Sequence, residues 1–270
     1  MIDKPNYYIG YPKYLLELQK LRSVELNAAF LVPYLQEGMS ILDCGCGLGS
    51  ITLGFAELLR NSKIFGIDTE QSLLDIAKNE AQKKGIGNTH FQLGNILKLP
   101  FPDDYFDVVF EHSILLHMPD YKEIAIKEML RVVKPGGIIA ARELDFKTFV
   151  LFPNNPIILE SLDTRNKMFL DNGIDTRMGT KLRYLYAKAK ISDAYFSASS
   201  VVVDNSRRLN FASNYFASEF RHSILIDKLI KDGTVSLAKI IEYQNEWLKF
   251  PEQEGAYLQY TWSEAVGYKK

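Results

Sequence analysis

The chain has 270 residues, 47% of them hydrophobic, with 32 basic and 33 acidic side chains and a net charge of −1. Such length and apolar content suit one large α/β domain, or a domain carrying an insertion, with a full core. The balanced charge lacks the basic excess of a dedicated nucleic-acid binder. With no apolar run of 18 or more residues and no signal-peptide pattern in MIDKPNYYIGY, a cytoplasmic protein without membrane insertion is expected.

Residues 11 to 37 read as one or two amphipathic helices. Leu15, Leu16, Leu18 and Leu21 form one apolar group and Leu26, Ala29, Phe30, Val32 and Leu35 the next, with Ser23 as a cap and Gly38 as the end. This stretch packs on the core or covers a ligand. Tyr7, Tyr8, Tyr11 and Arg22 are its candidate ligand contacts, and surface packing accounts for the tyrosines equally well.

The stretch ILDCGCGLGS, 41 to 50, is the centre around which the rest of the chain is organised. Ile41 and Leu42 end a buried strand, Gly45, Gly47 and Gly49 alternate through a loop, and Ser50 caps a helix opening at Ile51. Strand, glycine loop and helix form the first half of a βα unit that holds a ligand at a strand's carboxyl end. The dinucleotide fingerprint G-x-G-x-x-G is absent: the third glycine comes one residue early, and Asp43 precedes the first by two. A carboxylate there repels a phosphate and suits a cationic group such as an amino-acid ammonium. Cys44 and Cys46 flank Gly45; a metal site needs further ligands nearby, so both read as small residues filling tight space, with no metal and no disulfide expected.

KIFGID, 63 to 68, is a second strand ending in Asp68, 19 residues after Gly49, where a carboxylate accepts hydrogen bonds from ribose hydroxyls. A helix comes next and stops at Gly85. THFQL begins a third strand, whose exit loop carries Asn95 and Ile96. FDVVF, 106 to 110, is apolar after Asp107, as a strand covered on both faces should be, and delivers EHSILLHMPD to the same edge. Asp120 and Glu123 match a capping box for the next helix, KPGG makes a turn, and IIAARELDF, 138 to 146, is the fifth strand with its exit loop.

D-x-G-x-G-x-G, Asp68, FDVV, LLHMPD and LRVVKPGG together resemble the class I S-adenosylmethionine-dependent methyltransferases, in the small-molecule branch of the ubiquinone and menaquinone enzymes, over residues 40 to 146. The resemblance implies a doubly wound, mostly parallel, seven-stranded Rossmann-like α/β sheet. It implies S-adenosylmethionine as cofactor, leaving as S-adenosylhomocysteine. The implied cofactor contacts are Tyr11, Arg22, Asp43, Gly45, Cys46, Gly47, Gly49, Asp68, Thr69, Asn95, Ile96, Glu111 and His112. In this family an aspartate usually takes the place of Asn95 and accepts from the adenine amine; an amide oxygen offers the same bond.

Beyond residue 146 the reading predicts helices to Gly173 and over 180 to 190, a strand over 195 to 204, helices over 209 to 231 and 235 to 250, and a last strand over 257 to 267. Such a sheet normally ends in two strands joined by a short hairpin, and here some 50 residues intervene. The expected organisation is an N-terminal helical cap (1–37), a core (38–204 plus 256–270) and a helical substrate lid inserted in it (205–255). A structural or dimerising appendage is the other reading of the insertion. Candidate bases are His117, Glu143 and Asp145, then His112 and His222; Glu143 and Asp145 follow the fifth strand with period two and so share a face. The expected partner is a small methyl acceptor, aromatic or apolar, taking the methyl group on O, N or C. A homodimer through the lid or the N-terminal helices is also expected. A non-catalytic binder of the same ligand, or less readily a nicotinamide-dependent dehydrogenase, is the alternative.

Overall fold

A computed structural model describes residues 11–118, 120–222 and 224–270. Tyr7, Tyr8 and the side chain of His222 lie outside the described residues. The chain opens with α1 (Lys13–Lys20) and a single turn, α2 (Val24–Asn27). Ser23 caps α2 by accepting the Leu26 N–H at 3.3 Å, as its position suggested. The expected longer second helix stops short because Asn27 bonds back to the Ser23 N–H at 3.0 Å and Pro33 cannot continue it. Gly38 therefore ends no helix.

Strands and helices then alternate: β1 (Ser40–Cys44), α3 (Ser50–Leu58), β2 (Lys63–Asp68), α4 (Gln71–Lys84), β3 (Thr89–Leu93), β4 (Phe106–His112), α5 (Lys122–Val132) and β5 (Val133–Leu144). Gly49, not Ser50, is the N-cap of α3, with φ +74°. The Asp120–Glu123 box is not used: Tyr121 precedes α5 without a side-chain cap, and Glu123 pairs with Lys188 instead. The five strands pair in parallel in the order β3-β2-β1-β4-β5. Ile41, Val108, Phe110 and Ile138 pack on one face with Leu31 and Phe55. Their chain neighbours Leu42, Val109 and Ile139 pack on the other with Ile126, Met129 and Leu182. Two covered faces explain why these strands are apolar throughout.

The chain continues through β6 (Val150–Phe152), α6 (Pro156–Asp171), α7 (Met178–Lys188), β7 (Ser192–Val203), α8 (Ser206–His222), α9 (Ile224–Lys231), α10 (Leu237–Lys249) and β8 (Tyr257–Tyr268). Asn155 caps α6 through the Ile157 and Ile158 N–H groups, with Pro156 in its first turn. β8 runs antiparallel to all its neighbours, with β5 and β6 along one edge and β7 along the other. The sheet thus has eight strands rather than seven. The additional one, three residues long, is too short to show a period. Since β7 runs parallel to β5, α8 leaves and β8 re-enters at the carboxyl edge of the sheet. There α8 reaches α1 through the Tyr14 and Tyr215 rings, 5.5 Å apart. Among the described residues no helix is long and apolar enough to cross a membrane.

Candidate active site

The strand order reverses between β1 and β4, and a cleft opens at their carboxyl ends, the place where such sheets bind ligands. Gly45 and Gly47 follow β1, Asp68 and Thr69 follow β2, Asn95 and Ile96 follow β3, and Ser113, Ile114, His117 and Met118 follow β4. Tyr11, Gln19 and Arg22 close the cleft from the N-terminal segment. A deeper recess, lined by Gln19, Arg22, Asp43, Gly45, Cys46 and His112, continues beneath the glycine loop.

The loop's backbone makes this space. Gly45 has φ +71°, and a Cβ there would stand 2.3 Å from Ile114 Cδ1. The Cys46 N–H donates to the Ile67 carbonyl at 2.8 Å, which ties the loop to β2. Gly49 serves packing instead of ligand contact: a Cβ would lie 2.7 Å from Ala77 Cβ, between α3 and α4. Asp43 is buried and accepts the Thr52 hydroxyl at 2.6 Å, so it anchors α3 while facing the recess. Burial pushes its carboxyl up to about 7 against that bond.

Asp68 Oδ2 accepts the Gly47 N–H at 2.9 Å and Oδ1 the Glu70 N–H at 3.0 Å. These bonds aim the carboxylate into the cleft and leave it lone pairs for two hydroxyls. Burial raises its pKa. The Asn95 amide oxygen accepts the Leu97 N–H at 2.9 Å, so one lone pair closes a turn and the other remains for a ligand donor. Ser113, with φ +63°, donates its N–H to the Arg142 carbonyl at 3.0 Å and lines the same wall. Gln19 Oε1, buried beside Gly47, has no hydrogen-bond partner among the described residues.

The two faces of β4 and β5 divide their polar residues. His112 Nε2 lies 2.9 Å from Asn27 Nδ2 and 3.1 Å from Arg142 Nη1. Burial, then the Arg22 and Arg142 charges, holds its imidazole well below the usual range. Glu111 points to the opposite face, accepts the Ile114 N–H at 3.1 Å and lines no part of the cleft, contrary to the expected cofactor contact. Burial raises it to about 8. Glu143 shares its side: Oε1 accepts the Leu115 N–H at 2.6 Å and the Leu116 N–H at 3.3 Å. Asp145 accepts the Lys147 N–H at 2.9 Å and the Arg177 Nε–H at 2.7 Å. Asp145 lies just past the end of β5, so the strand's period does not carry to it; both carboxyls are buried and line neither the cleft nor the recess, so neither is placed there as a base. His117 does line the cleft, where burial and the Arg22 charge lower it to about 3. Its imidazole is therefore neutral and weakly basic at pH 7.

Leu73, Gly94, Ser113, Ile114, Met118 and Gln19 complete the lining and were absent from the expected contacts. Only Gln19 carried a signal: it stands four residues after Leu15, a polar group on the apolar face of α1. Among the described residues no group of three or more His, Cys, Asp or Glu side chains is placed to hold a metal ion.

Residues 35–188 match the family model described as a methyltransferase domain. An uncharacterized methyltransferase of Schizosaccharomyces pombe is 32% identical over 232 residues, covering 82% of each chain. The demethylmenaquinone methyltransferase of Geobacillus stearothermophilus is 36% identical over 118 residues, 43% of this chain and 50% of that one. The fold is shared with the YcgJ protein of Bacillus subtilis, with a TM-score of 0.60 at 18% identity over 90% of this chain and 97% of that one. It is also shared with a Haemonchus contortus phosphoethanolamine N-methyltransferase solved with S-adenosylhomocysteine, with a TM-score of 0.58 at 15% identity over 91% and 52%. The family match and the relative covered over 82% of its length support the methyltransferase reading and give no support to the dehydrogenase or the non-catalytic binder. The chain belongs to the methyltransferase domain family, and it is an S-adenosylmethionine-dependent methyltransferase.

Proposed function

We propose that the chain methylates an O, N or C atom of a small molecule, aromatic or apolar, by in-line displacement. The observation that carries this is the cleft itself. A ribose-type carboxylate (Asp68), a turn amide (Asn95) and a recess with acid and base character (Asp43, Arg22) follow one another along its length. S-adenosylmethionine supplies a methyl group already activated on a sulfonium. The protein's part is to hold donor and acceptor in line and to exclude water, which is worth roughly 7–11 kcal/mol at best. Asp68 takes the ribose hydroxyls, Asn95 and Ile96 the adenine, and Thr69, Tyr11 and Arg22 border the bound nucleoside and its tail. His117 stays neutral and orients the acceptor rather than taking its proton.

The same reading divides the chain into a cap (1–37), a core (38–204 plus 256–270) and a lid (205–255). Phe149 and Tyr260, whose rings stack 4.9 Å apart, and Tyr215 against Tyr14 make an aromatic layer between lid, core and cap, and an aromatic acceptor held beside it belongs to the proposal. Relatives named for demethylmenaquinone support it too. A homodimer through α10 belongs to the proposal, since Leu237, Ile241 and Leu248 form one exposed apolar stripe; sedimentation of the purified protein reads it. A cytoplasmic setting suits the unpaired Cys44 and Cys46.

Calorimetric titration with S-adenosylhomocysteine and with NADH tests the cofactor assignment. S-adenosylhomocysteine should bind and NADH should not. Asp68→Ala should weaken binding by about 10- to 100-fold, the worth of hydrogen bonds to a charged group. Binding of NADH in its place would overturn the reading.

A further inference from the structure

Two residues that line the recess beneath the glycine loop each carry a buried atom with no hydrogen-bond partner among the described residues: Gln19 through Oε1 and His112 through Nδ1. Gln19 is 8% exposed and His112 3%. Buried polar groups are nearly always satisfied, so two orphans on one recess call for an explanation.

Their chemistry differs. Gln19 offers an amide oxygen, an acceptor, 3.0 Å from where a Cβ on Gly47 would stand. His112 offers a donor, because its neighbours fix where the ring proton sits. Asn27 Oδ1 is taken by the Ser23 N–H at 3.0 Å, so Asn27 turns its NH2 to His112 Nε2. Arg142 Nη1, which can only donate, meets the same nitrogen at 3.1 Å. Both donors converge on the single lone pair of Nε2, which therefore carries no hydrogen. The proton of the neutral ring sits on Nδ1, which meets no acceptor among the described residues. The indole of Trp262, 4.7 Å from the ring, holds this orientation.

The same recess places the Asp43 carboxyl and the Arg22 guanidinium on its wall. One acceptor with an acid and one donor with a base match the two ends of an α-amino acid zwitterion. We infer that Gln19 and His112 are the residues that read the amino-acid tail of the cofactor: Gln19 Oε1 accepts from its ammonium, and His112 Nδ1–H donates to its carboxylate. The inference rests on the cofactor assignment above and extends it to residues outside the glycine motif. It makes tail recognition the joint work of α1 and the end of β4, so the N-terminal segment completes the site.

The test compares S-adenosylhomocysteine with 5′-methylthioadenosine, which has the same nucleoside thioether and no amino acid. Titration calorimetry on Gln19→Met should show S-adenosylhomocysteine weakened by about tenfold or more, the worth of a charge-assisted hydrogen bond, with methylthioadenosine unchanged within about twofold. Nitrogen-15 histidine spectra of the unmodified protein should show the Nδ1–H signal of His112 shifting with S-adenosylhomocysteine and staying put with methylthioadenosine. Equal weakening of both ligands by Gln19→Met, or no weakening of either, would overturn the inference. So would a His112 signal that ignores the tail. If the unmodified protein binds neither ligand, the cofactor assignment fails first and takes the inference with it.

Discussion

Asp43 shows how one carboxyl links cleft and stability. Thr52 lowers its pKa and burial raises it, and burial prevails, leaving it at about 7. The folded chain without ligand then keeps a proton that the unfolded chain loses near the ordinary value of 3.8. With the folded pKa raised, the contribution is favourable below about pH 4 and is lost as the pH rises towards 7, by up to about 4 kcal/mol at 1.36 kcal/mol per unit. A cation in the recess favours the ionised form. Binding of S-adenosylhomocysteine should therefore release a proton below pH 7, and its affinity should climb with pH up to about that value. Calorimetry in buffers of different ionisation enthalpy reads the proton directly. Asp43→Asn should flatten the slope, and an unchanged slope would assign it to another group.

At the scale of elements, the segment after β4 depends on carboxyls from two strands. Glu111 and Glu143 accept the N–H groups of Ile114, Leu115 and Leu116, and so fix the 3-10 turn (Leu115–His117) that presents His117 to the cleft. Burial, then the charge of Glu111, pushes Glu143 well above its ordinary range. Its favourable share of stability is complete below the unfolded value of 4.5 and fades as the pH rises through the folded one. Glu143→Gln keeps the accepting oxygen, so it should stay within about 1 kcal/mol of the parent at pH 7 and lose less stability at alkaline pH. Glu143→Ala leaves two N–H groups unmet and should cost about 2–4 kcal/mol in urea unfolding, with weaker S-adenosylhomocysteine binding. The distinction was not open to sequence reading. Period two puts Glu143 and Asp145 on one face, and it says neither that the strand ends at Leu144 nor which element covers Glu143.

Across the whole molecule, the helices between β7 and β8 are tied down by a buried ion pair. Arg165 of α6 meets Glu219 of α8 at 2.5 Å, with its guanidinium over the rings of Phe146, Phe169 and Phe216. Removing one partner of a buried pair strands the other charge, so Glu219→Ala should destabilise by about 3–5 kcal/mol. The double change Arg165→Met with Glu219→Leu should recover most of that loss in urea unfolding. If it recovers nothing, aromatic packing around the guanidinium holds α8, and the charge pair does not.

The local features were legible in the sequence because their causes are local. Glycines at 45, 47 and 49 take left-handed backbone angles, and strands apolar on both faces announce a covered parallel sheet. A carboxylate at the tip of the second strand is a matter of chain distance alone, so Asp68 and the fold could be read in advance. Tertiary structure decided what each polar side chain faces and which proton it keeps. Glu111 and His112 are adjacent in sequence, yet one braces a loop on one face of the sheet while the other borders the recess on the opposite face. His117 has the right residue type and position for a base, and burial beside Arg22 takes that basicity away. Gln19 lies 28 residues before Gly47 and meets it only because α1 folds over the loop. Burial and charge at a site are sums over residues distant in the chain, and only the packed molecule brings those residues together.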